Sequence, residues 1–222
     1  MPSGAARARK ITNAGNRKVI GKFPSLKMNA VIWWESQLER DYIYLLEIDP
    51  EVLSYGEQPF TISYTDKGKP RRYTPDFVVT RPQKTQVVEV KPSNQAQTEK
   101  NLNLFRKIAP ICTANNQEFV VVTELRIRVQ PRLNNIKLLY RYARVPLSLS
   151  NYLDCLQYFH STEPICLLNA ERDLKERGIN RSLMLRLLWC GFLVTDLMQP
   201  INAESLIRLS KEAPSWERLK IQ

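Results

Sequence analysis

The sequence is poor in histidine, and the one histidine that it contains is His160. Serine hydrolases with a histidine base, HNH nucleases and HExxH metalloproteases all need one or more histidines in fixed positions. The composition therefore removes these enzyme classes. Any catalysis by the chain would have to use carboxylates, lysine and a hard metal ion.

The sequence also lacks the cysteine spacing of a zinc site and any long apolar run. Its four cysteines form no CxxC pair, and three of the four lie in apolar, helix-like surroundings. The four are Cys112, Cys155, Cys166 and Cys190. This is typical of buried thiols in a reducing compartment, which favours the cytoplasm. No segment approaches the roughly 18 apolar residues that cross a membrane. The basic N-terminus has no apolar core, so we do not expect a secretory signal.

Acidic residues are absent from residues 1–30, and the whole chain carries a net charge of +11. A polyanionic partner is therefore expected. Without an amphipathic anchor or a lipidation motif, nucleic acid is favoured over a membrane surface. We predict a basic arm over residues 1–27 that touches DNA, with a solvated tail as the alternative. The candidate phosphate contacts of this arm are Arg7, Arg9, Lys10, Arg17 and Lys18.

The spacing of apolar residues predicts an α/β domain over residues 28–145. Helical spacing indicates helices over residues 30–48 and 95–108, and a short basic helix over residues 134–142 closes the unit. Alternating or fully apolar runs indicate strands over residues 52–55, 60–64, 73–80, 86–91 and 118–123. The order helix, mixed β-sheet, helix, strand corresponds to a compact layered domain.

Residues 146–222 follow a different pattern, which predicts a C-terminal winged-helix-like domain. Short helices are indicated over residues 149–159, 163–177 and 181–190, followed by strands over residues 192–197 and 205–207. Arg181 and Arg186 lie on the third helix, where a DNA-reading helix would carry basic residues. That helix is also strongly apolar, so we favour docking to a protein over contact with DNA.

Ionisable residues interrupt otherwise apolar strand sequence at Asp76, Glu89 and Lys91. Residues i and i+2 of a strand share a face, so Glu89 and Lys91 emerge together, and Asp76 reaches them if the two strands are neighbours. Paired carboxylates suit Mg²⁺, with Mn²⁺ as a substitute, and such a cation lowers the pKa of a bound water. The lysine would hold that water or the developing negative charge. The alternative to this catalytic interpretation is a salt bridge on a strand face.

Further candidates flank this motif. A third carboxylate is expected from the preceding helix, where Glu39 borders the apolar stripe and Glu35 is the second choice because acids near a helix start also have a purely structural role. Arg71 and Arg72 precede the strand of Asp76 and either grip phosphates or form an exposed pair. Gln58 could reach the same edge, although a hydrogen bond within a turn is the expected role.

The segments ESQLERDYIYLLEIDPEVLSYGEQPF, YTPDFVV and VVEVKP together resemble the TnsA subunit of heteromeric cut-and-paste transposases. The resemblance covers about residues 28–125 and implies a restriction-endonuclease-like fold of the PD-(D/E)xK kind. It also implies that Glu39, Asp76 and Glu89 bind the metal and that Lys91 is the catalytic lysine. Some members have Gln in place of the Glu89 equivalent, whereas this chain keeps the acid.

The same resemblance implies an activity and a set of partners. The expected reaction is Mg²⁺-dependent hydrolysis of one DNA strand at the 5′ ends of a transposon, while a DDE-type transposase cuts and joins the 3′ ends. An AAA+ ATPase regulator is the second expected protein partner, and the assembly would act at the bacterial nucleoid. A free-standing restriction- or junction-type nuclease and a non-catalytic DNA-binding assembly module are the alternatives. Whether the system is CRISPR-guided is left open by these residues.

Overall fold

The computed structural model describes residues 19–220, which divide into two compact units with the boundary between Arg128 and Val129. The five basic residues assigned to the N-terminal arm, positions 7, 9, 10, 17 and 18, lie outside the described residues. Among the residues that are described, no helix is long and apolar enough to cross a membrane.

A four-stranded mixed sheet forms the centre of the first unit, in the order β3-β6-β7-β8. Its strands are β3 (Ser54–Glu57), β6 (Phe77–Arg81), β7 (Lys84–Val90) and β8 (Gln117–Val122). Strands β3, β6 and β7 are antiparallel, and β8 runs parallel to β7. A parallel pair needs a crossover connection, which here contains α2 (Ser93–Ala96) and α3 (Glu99–Ala114). Both Val87 and Val88 are fully buried because β7 is an inner strand.

Two hairpins accompany the central sheet. The first pairs β1 (Gly21–Ser25) with β2 (Ala30–Trp34) and precedes helix α1 (Gln37–Ile48). The second, which we call the ribbon, pairs β4 (Ile62–Asp66) with β5 (Lys69–Tyr73) and is separate from the central sheet. A short helix, α4 (Glu124–Ile127), ends the unit.

The helix predicted over residues 30–48 starts later than expected. Its first residues, AVIWW, form strand β2, since β-branched and aromatic side chains suit a pleated surface. Ser36 is the N-cap of α1, and its side chain accepts a hydrogen bond from the Glu39 backbone nitrogen. The strand predicted over residues 73–80 also divides, with β5 ending at Tyr73 and β6 beginning at Phe77.

The domain boundaries differ from those expected as well. The first hairpin begins at Gly21, inside the arm expected over residues 1–27. Helix α5 (Arg132–Tyr142), expected to close the first domain, lies in the second unit and packs against α8 (Arg181–Trp189). The rings of Tyr140 and Trp189 meet edge-on there, with centroids 5.3 Å apart. The apolar face of α5 therefore belongs to the second core.

The second unit combines short helices with a three-stranded antiparallel sheet. Its other helices are α6 (Leu149–His160), α7 (Leu167–Asp173), the 3₁₀ turn Lys175–Arg177 and α9 (Trp216–Lys220). The sheet has the order β10-β11-β9, from β9 (Ile165–Cys166), β10 (Leu193–Val194) and β11 (Leu206–Leu209). Strand β9 was not expected from the sequence because it is only two residues long.

Helix α8 does not offer the surface that the sequence analysis assigned to it. Every residue from Leu183 to Trp189 is buried, including Arg186, which is 5% exposed. Arg181 is exposed, but it pairs with Glu171 at 2.8 Å. The face expected to dock a protein or to read DNA is thus part of the core of the second unit.

A buried carboxylate fastens the first hairpin to α1. The Glu47 side chain accepts hydrogen bonds from Ser25 Oγ at 2.6 Å, the Leu26 backbone nitrogen at 2.9 Å and Tyr55 Oη at 2.6 Å. Lys27 donates from its side chain to the Asp49 carbonyl group. Burial lowers the pKa of Lys27 from 10.5 to about 8, against the opposing influence of the Glu47 and Asp49 carboxylates.

This shift predicts a pH dependence of stability. Below about pH 8 the folded protein bears the cost of a charged, partly buried Lys27. Between about pH 8 and 10.5 the unfolded chain binds more protons at this site than the folded one, so the free energy of unfolding rises with pH. Urea unfolding from pH 7 to 10 should show this rise in the wild type relative to Lys27→Met. Parallel curves for the two proteins would contradict the assignment.

Candidate active site

Strand pairing brings Asp76 and Glu89 to the same edge of the central sheet. Phe77 lies opposite Val88 in the antiparallel pair β6–β7, so the residues that precede and follow them, Asp76 and Glu89, are neighbours. Two hydrogen bonds extend the pairing beyond β6: the Asp76 backbone nitrogen donates to the Val88 carbonyl at 3.1 Å, and the Val90 backbone nitrogen donates to Asp76 Oδ2 at 2.7 Å. The Asp76 carboxylate is thereby fixed against β7.

Glu89 is a buried carboxylate with a partner on each oxygen. It is 4% exposed. Tyr73 Oη donates to Glu89 Oε2 at 2.6 Å, and Lys91 Nζ donates to Glu89 Oε1. Burial, followed by the charge of Glu89 and this hydrogen bond, raises the pKa of Tyr73 far above its usual range. The predicted Glu89 and Lys91 therefore meet, and Tyr73 is a site residue that the sequence analysis missed.

Glu39 reaches the site from the first turn of α1. Its Oε2 accepts a hydrogen bond from the Glu35 backbone nitrogen at 2.7 Å, while its own backbone nitrogen donates to Ser36 Oγ at 3.1 Å. Ser36 thus caps the helix, and the Glu39 carboxylate binds the backbone just before that cap. It also adds to the negative potential at Asp76, where it ranks after Glu89 among the charges that raise the pKa. Glu39, the first of the two acids predicted near this helix, is among the charges that raise the pKa of Asp76.

The carboxylates oppose one another's ionisation. Burial, then Glu89, then Glu39 raise the pKa of Asp76 well above its ordinary value, although the Val90 N–H and the Lys91 charge act in the other direction. Oxygen-rich sites of concentrated negative charge suit hard divalent cations, so the donor set fits Mg²⁺. As placed, no group of three or more His, Cys, Asp or Glu side chains in residues 19–220 has metal-binding geometry.

Gln58 links both sides of the site in a strained conformation. Its φ is 43°, in the left-handed region, and the residue is 6% exposed. Its backbone nitrogen donates to the Asp76 carbonyl at 2.9 Å, and Nε2 donates to Glu35 Oε1 at 2.8 Å. Its Oε1 is buried without a hydrogen-bond partner among the described residues. The role expected for Gln58, a bond within a turn, is thus replaced by one that spans the site.

The remaining predicted contacts are Arg71 and Arg72. Both are exposed on β5 of the ribbon and occupy successive positions, so their side chains lie on opposite faces. The structure thus separates two residues that the sequence analysis treated as a pair.

Two carboxylates and a lysine at the edge of a mixed sheet, with a helix supplying a further acid, are consistent with a restriction-endonuclease-like fold. Residues 49–124 match the family model for the TnsA-like endonuclease N-terminal domain. This segment of the first unit is therefore similar to the TnsA-like endonuclease N-terminal domain. The matched segment includes Asp76, Glu89 and Lys91 but not Glu39. No curated protein matches the chain.

The repulsion at Asp76 predicts a gain in stability when its charge is removed. In metal-free buffer at neutral pH, Asp76→Asn should raise the free energy of unfolding by about 1 kcal/mol, or about 2–4 °C in Tm. The amide oxygen can still accept the Val90 N–H bond. Thermal melts with and without Mg²⁺ provide the measurement, and the wild type should gain more from Mg²⁺ than the variant does. A variant that is less stable without metal would show that the carboxylates do not repel one another.

The conformation and contacts of Gln58 predict that its substitutions affect protein stability and DNA cleavage differently. Gln58→Gly and Gln58→Ala both remove the bond to Glu35, and both should lower DNA cleavage by about 10–100-fold. Glycine tolerates the positive φ, so Gln58→Gly should be more stable than Gln58→Ala by about 1 kcal/mol. Urea unfolding and cleavage rates measured on both variants test this. Wild-type cleavage by either variant would rule out a role for the side chain.

Proposed function

We propose that this chain is the Mg²⁺-dependent endonuclease subunit of a heteromeric transposase and hydrolyses the strand at the 5′ ends of the transposon during cut-and-paste transposition. The observation that carries the proposal is the meeting of Asp76, Glu89 and Lys91 at one edge of the sheet. This edge lies within the segment that matches the TnsA-like endonuclease family. The similarity to this family supports the role in transposition, and the three residues support metal-dependent hydrolysis.

Asp76, Glu89 and Glu39 would hold Mg²⁺, and Mn²⁺ would substitute for it. When bound, the cation lowers the pKa of a water and neutralises charge on the phosphate. The raised pKa of Asp76 supports this assignment, because a cation offsets the repulsion among the carboxylates. Gln58, whose backbone binds Asp76, also has a buried side-chain oxygen without a hydrogen-bond partner among the described residues, which could orient a water.

The protein groups position and stabilise the reacting atoms. The Val90 N–H fixes the Asp76 carboxylate, and the Tyr73 hydroxyl fixes that of Glu89. The Lys91 side chain is 24% exposed, so its ammonium group is accessible to a phosphate while it remains beside Glu89. There it can hold the attacking water or the negative charge that develops on phosphate. Preorganised donors of this kind lower the barrier because they need no reorganisation during the reaction.

The second unit would serve assembly. Its order of helix, strand, two helices and two strands, with sheet order β10-β11-β9, supports the winged-helix-like expectation. The burial of α8 disfavours DNA reading by that helix. We expect the chain to act on double-stranded transposon ends at the bacterial nucleoid, together with a DDE-type transposase and an AAA+ ATPase regulator.

Cleavage of labelled transposon-end DNA with Mg²⁺ and the partner transposase tests the proposal. Wild-type chain should cut the strand at the 5′ ends, and Asp76→Asn should abolish these cuts while the 3′ cuts persist. Glu118→Gln is a suitable control, because it removes one carboxylate from the start of β8, away from the site. Chelation should also abolish the 5′ cuts, and Mn²⁺ should restore them.

The same assay separates the alternatives. Sequence-specific cleavage by the chain alone would favour a free-standing nuclease, and absence of 5′ cuts with every partner present would favour a non-catalytic module. Unchanged 5′ cutting by a folded Asp76→Asn would place the active site elsewhere.

A further inference from the structure

The ribbon leaves and rejoins the sheet at the candidate active site. Strand β3 ends at Glu57, next to Gln58, and the chain returns to the sheet at Asp76, just before β6. Between these points it forms only the ribbon and its connections. The base of the ribbon, where it joins the sheet, is therefore close to the carboxylates.

The two faces of the ribbon differ in chemistry. On the inner face, Ile62 pairs with Tyr73, and both are buried in a cluster with Val87, Ile108 and Cys112. The outer face, which we call the polar ribbon face, comprises the pairs Thr61–Thr74, Ser63–Arg72 and Thr65–Pro70. The latter two pairs follow from the register, and the first is joined by a contact of 3.0 Å between the two threonine hydroxyls. Ser63, Thr65, Pro70 and Arg72 are all exposed.

Arg71 and Arg72 are adjacent in sequence but differ in their surroundings. Arg71 shares the inner face with Asp66, whose pKa is lowered first by the hydrogen bond from Lys107 and also by the charge of Arg71. Arg72 lies opposite Ser63 and forms no ion pair with another described residue. The inner face thus carries its own acid, whereas the outer face presents one arginine among hydroxyl groups.

We propose that the polar ribbon face binds the sugar–phosphate backbone of duplex DNA next to the scissile phosphate, with Arg72 as its charged contact. Arginine, serine and threonine side chains are common donors to phosphate oxygens, and arginine matches phosphate with a two-pronged geometry. Arg72 lies four positions before Asp76, so their Cα atoms are at most about 13 Å apart, which corresponds to about four base pairs of helical rise. This inference rests on the proposed function, since it places a substrate at the same site.

The composition of this face favours the DNA backbone over a protein or a base sequence. It has no large apolar side chain that could anchor a protein interface. Arginine can also read guanine in the major groove, but here it lies opposite a serine, and the face has no Asn or Gln to read a neighbouring base. We therefore expect a backbone contact that does not depend on sequence, and the comparison of transposon-end with scrambled duplexes tests this.

Binding of the full-length chain to labelled duplex DNA, measured without Mg²⁺ over a range of salt concentrations, tests the proposal. Arg72→Gln should weaken binding about tenfold, equally for transposon-end and scrambled duplexes. It should also reduce the salt slope by about one. Arg71→Gln is the matched control, because it removes the same charge from the next exposed position and should leave binding within about twofold of the wild type. Arg72→Lys should recover the salt slope and part of the affinity.

Several outcomes would overturn the proposal. Equal losses for Arg71→Gln and Arg72→Gln would mean that only overall charge matters. Unchanged DNA binding by Arg72→Gln, or loss only of association with the transposase, would exclude this face from the DNA path. Failure of the proposed function would give a different result. Arg72→Gln would still weaken DNA binding, but neither the wild type nor any variant would cut the DNA.

Discussion

The crowding of carboxylates beside β7 is the constraint on which the rest of the first unit depends. Antiparallel pairing places Asp76 next to Glu89, and the Val90 N–H bond holds Asp76 there despite the repulsion. Such a bond requires β6 and β7 to keep one register, since a shift of one residue would turn Glu89 to the other face. The fully buried Val87 and Val88 secure that register through the core. Apolar packing therefore maintains an arrangement that electrostatics disfavours.

The residues around this cluster combine structural and chemical roles. The Glu39 carboxylate holds the backbone that leads into α1 and also adds negative charge near Asp76. Gln58 keeps a positive φ and an unpartnered oxygen, both of which cost stability. Strain of this kind persists when the surrounding structure determines the conformation, and here bonds to Asp76 and Glu35 provide that support. The local costs coincide with the candidate site, which is where function accounts for them.

The sequence predicted the proximity of the candidate site residues better than it predicted the surrounding fold. The sequence could predict that Asp76, Glu89 and Lys91 meet, because side-chain alternation along a strand and the pairing of two consecutive strands are local properties. It could not predict the hydrogen bond from Tyr73, because that bond depends on how the ribbon packs over β7. The division of residues 73–80 into two strands was missed for a similar reason, since the whole run is compatible with one strand. Likewise, the burial of α8 could not be predicted from its own sequence, because it depends on how the rest of the second unit packs around the helix.

The burial of α8 changes where DNA recognition can be sought. A helix that reads DNA needs an exposed face with polar side chains. The apolar residues of α8 are instead buried in the core of its own unit, and Arg186 is buried with them. The first unit instead exposes Arg72 on the ribbon that borders the carboxylates. An arginine among hydroxyl groups is suited to phosphate oxygens. Under the proposed function, a nuclease with this contact would cut where it is placed, and the selection of the site would fall to its partner proteins.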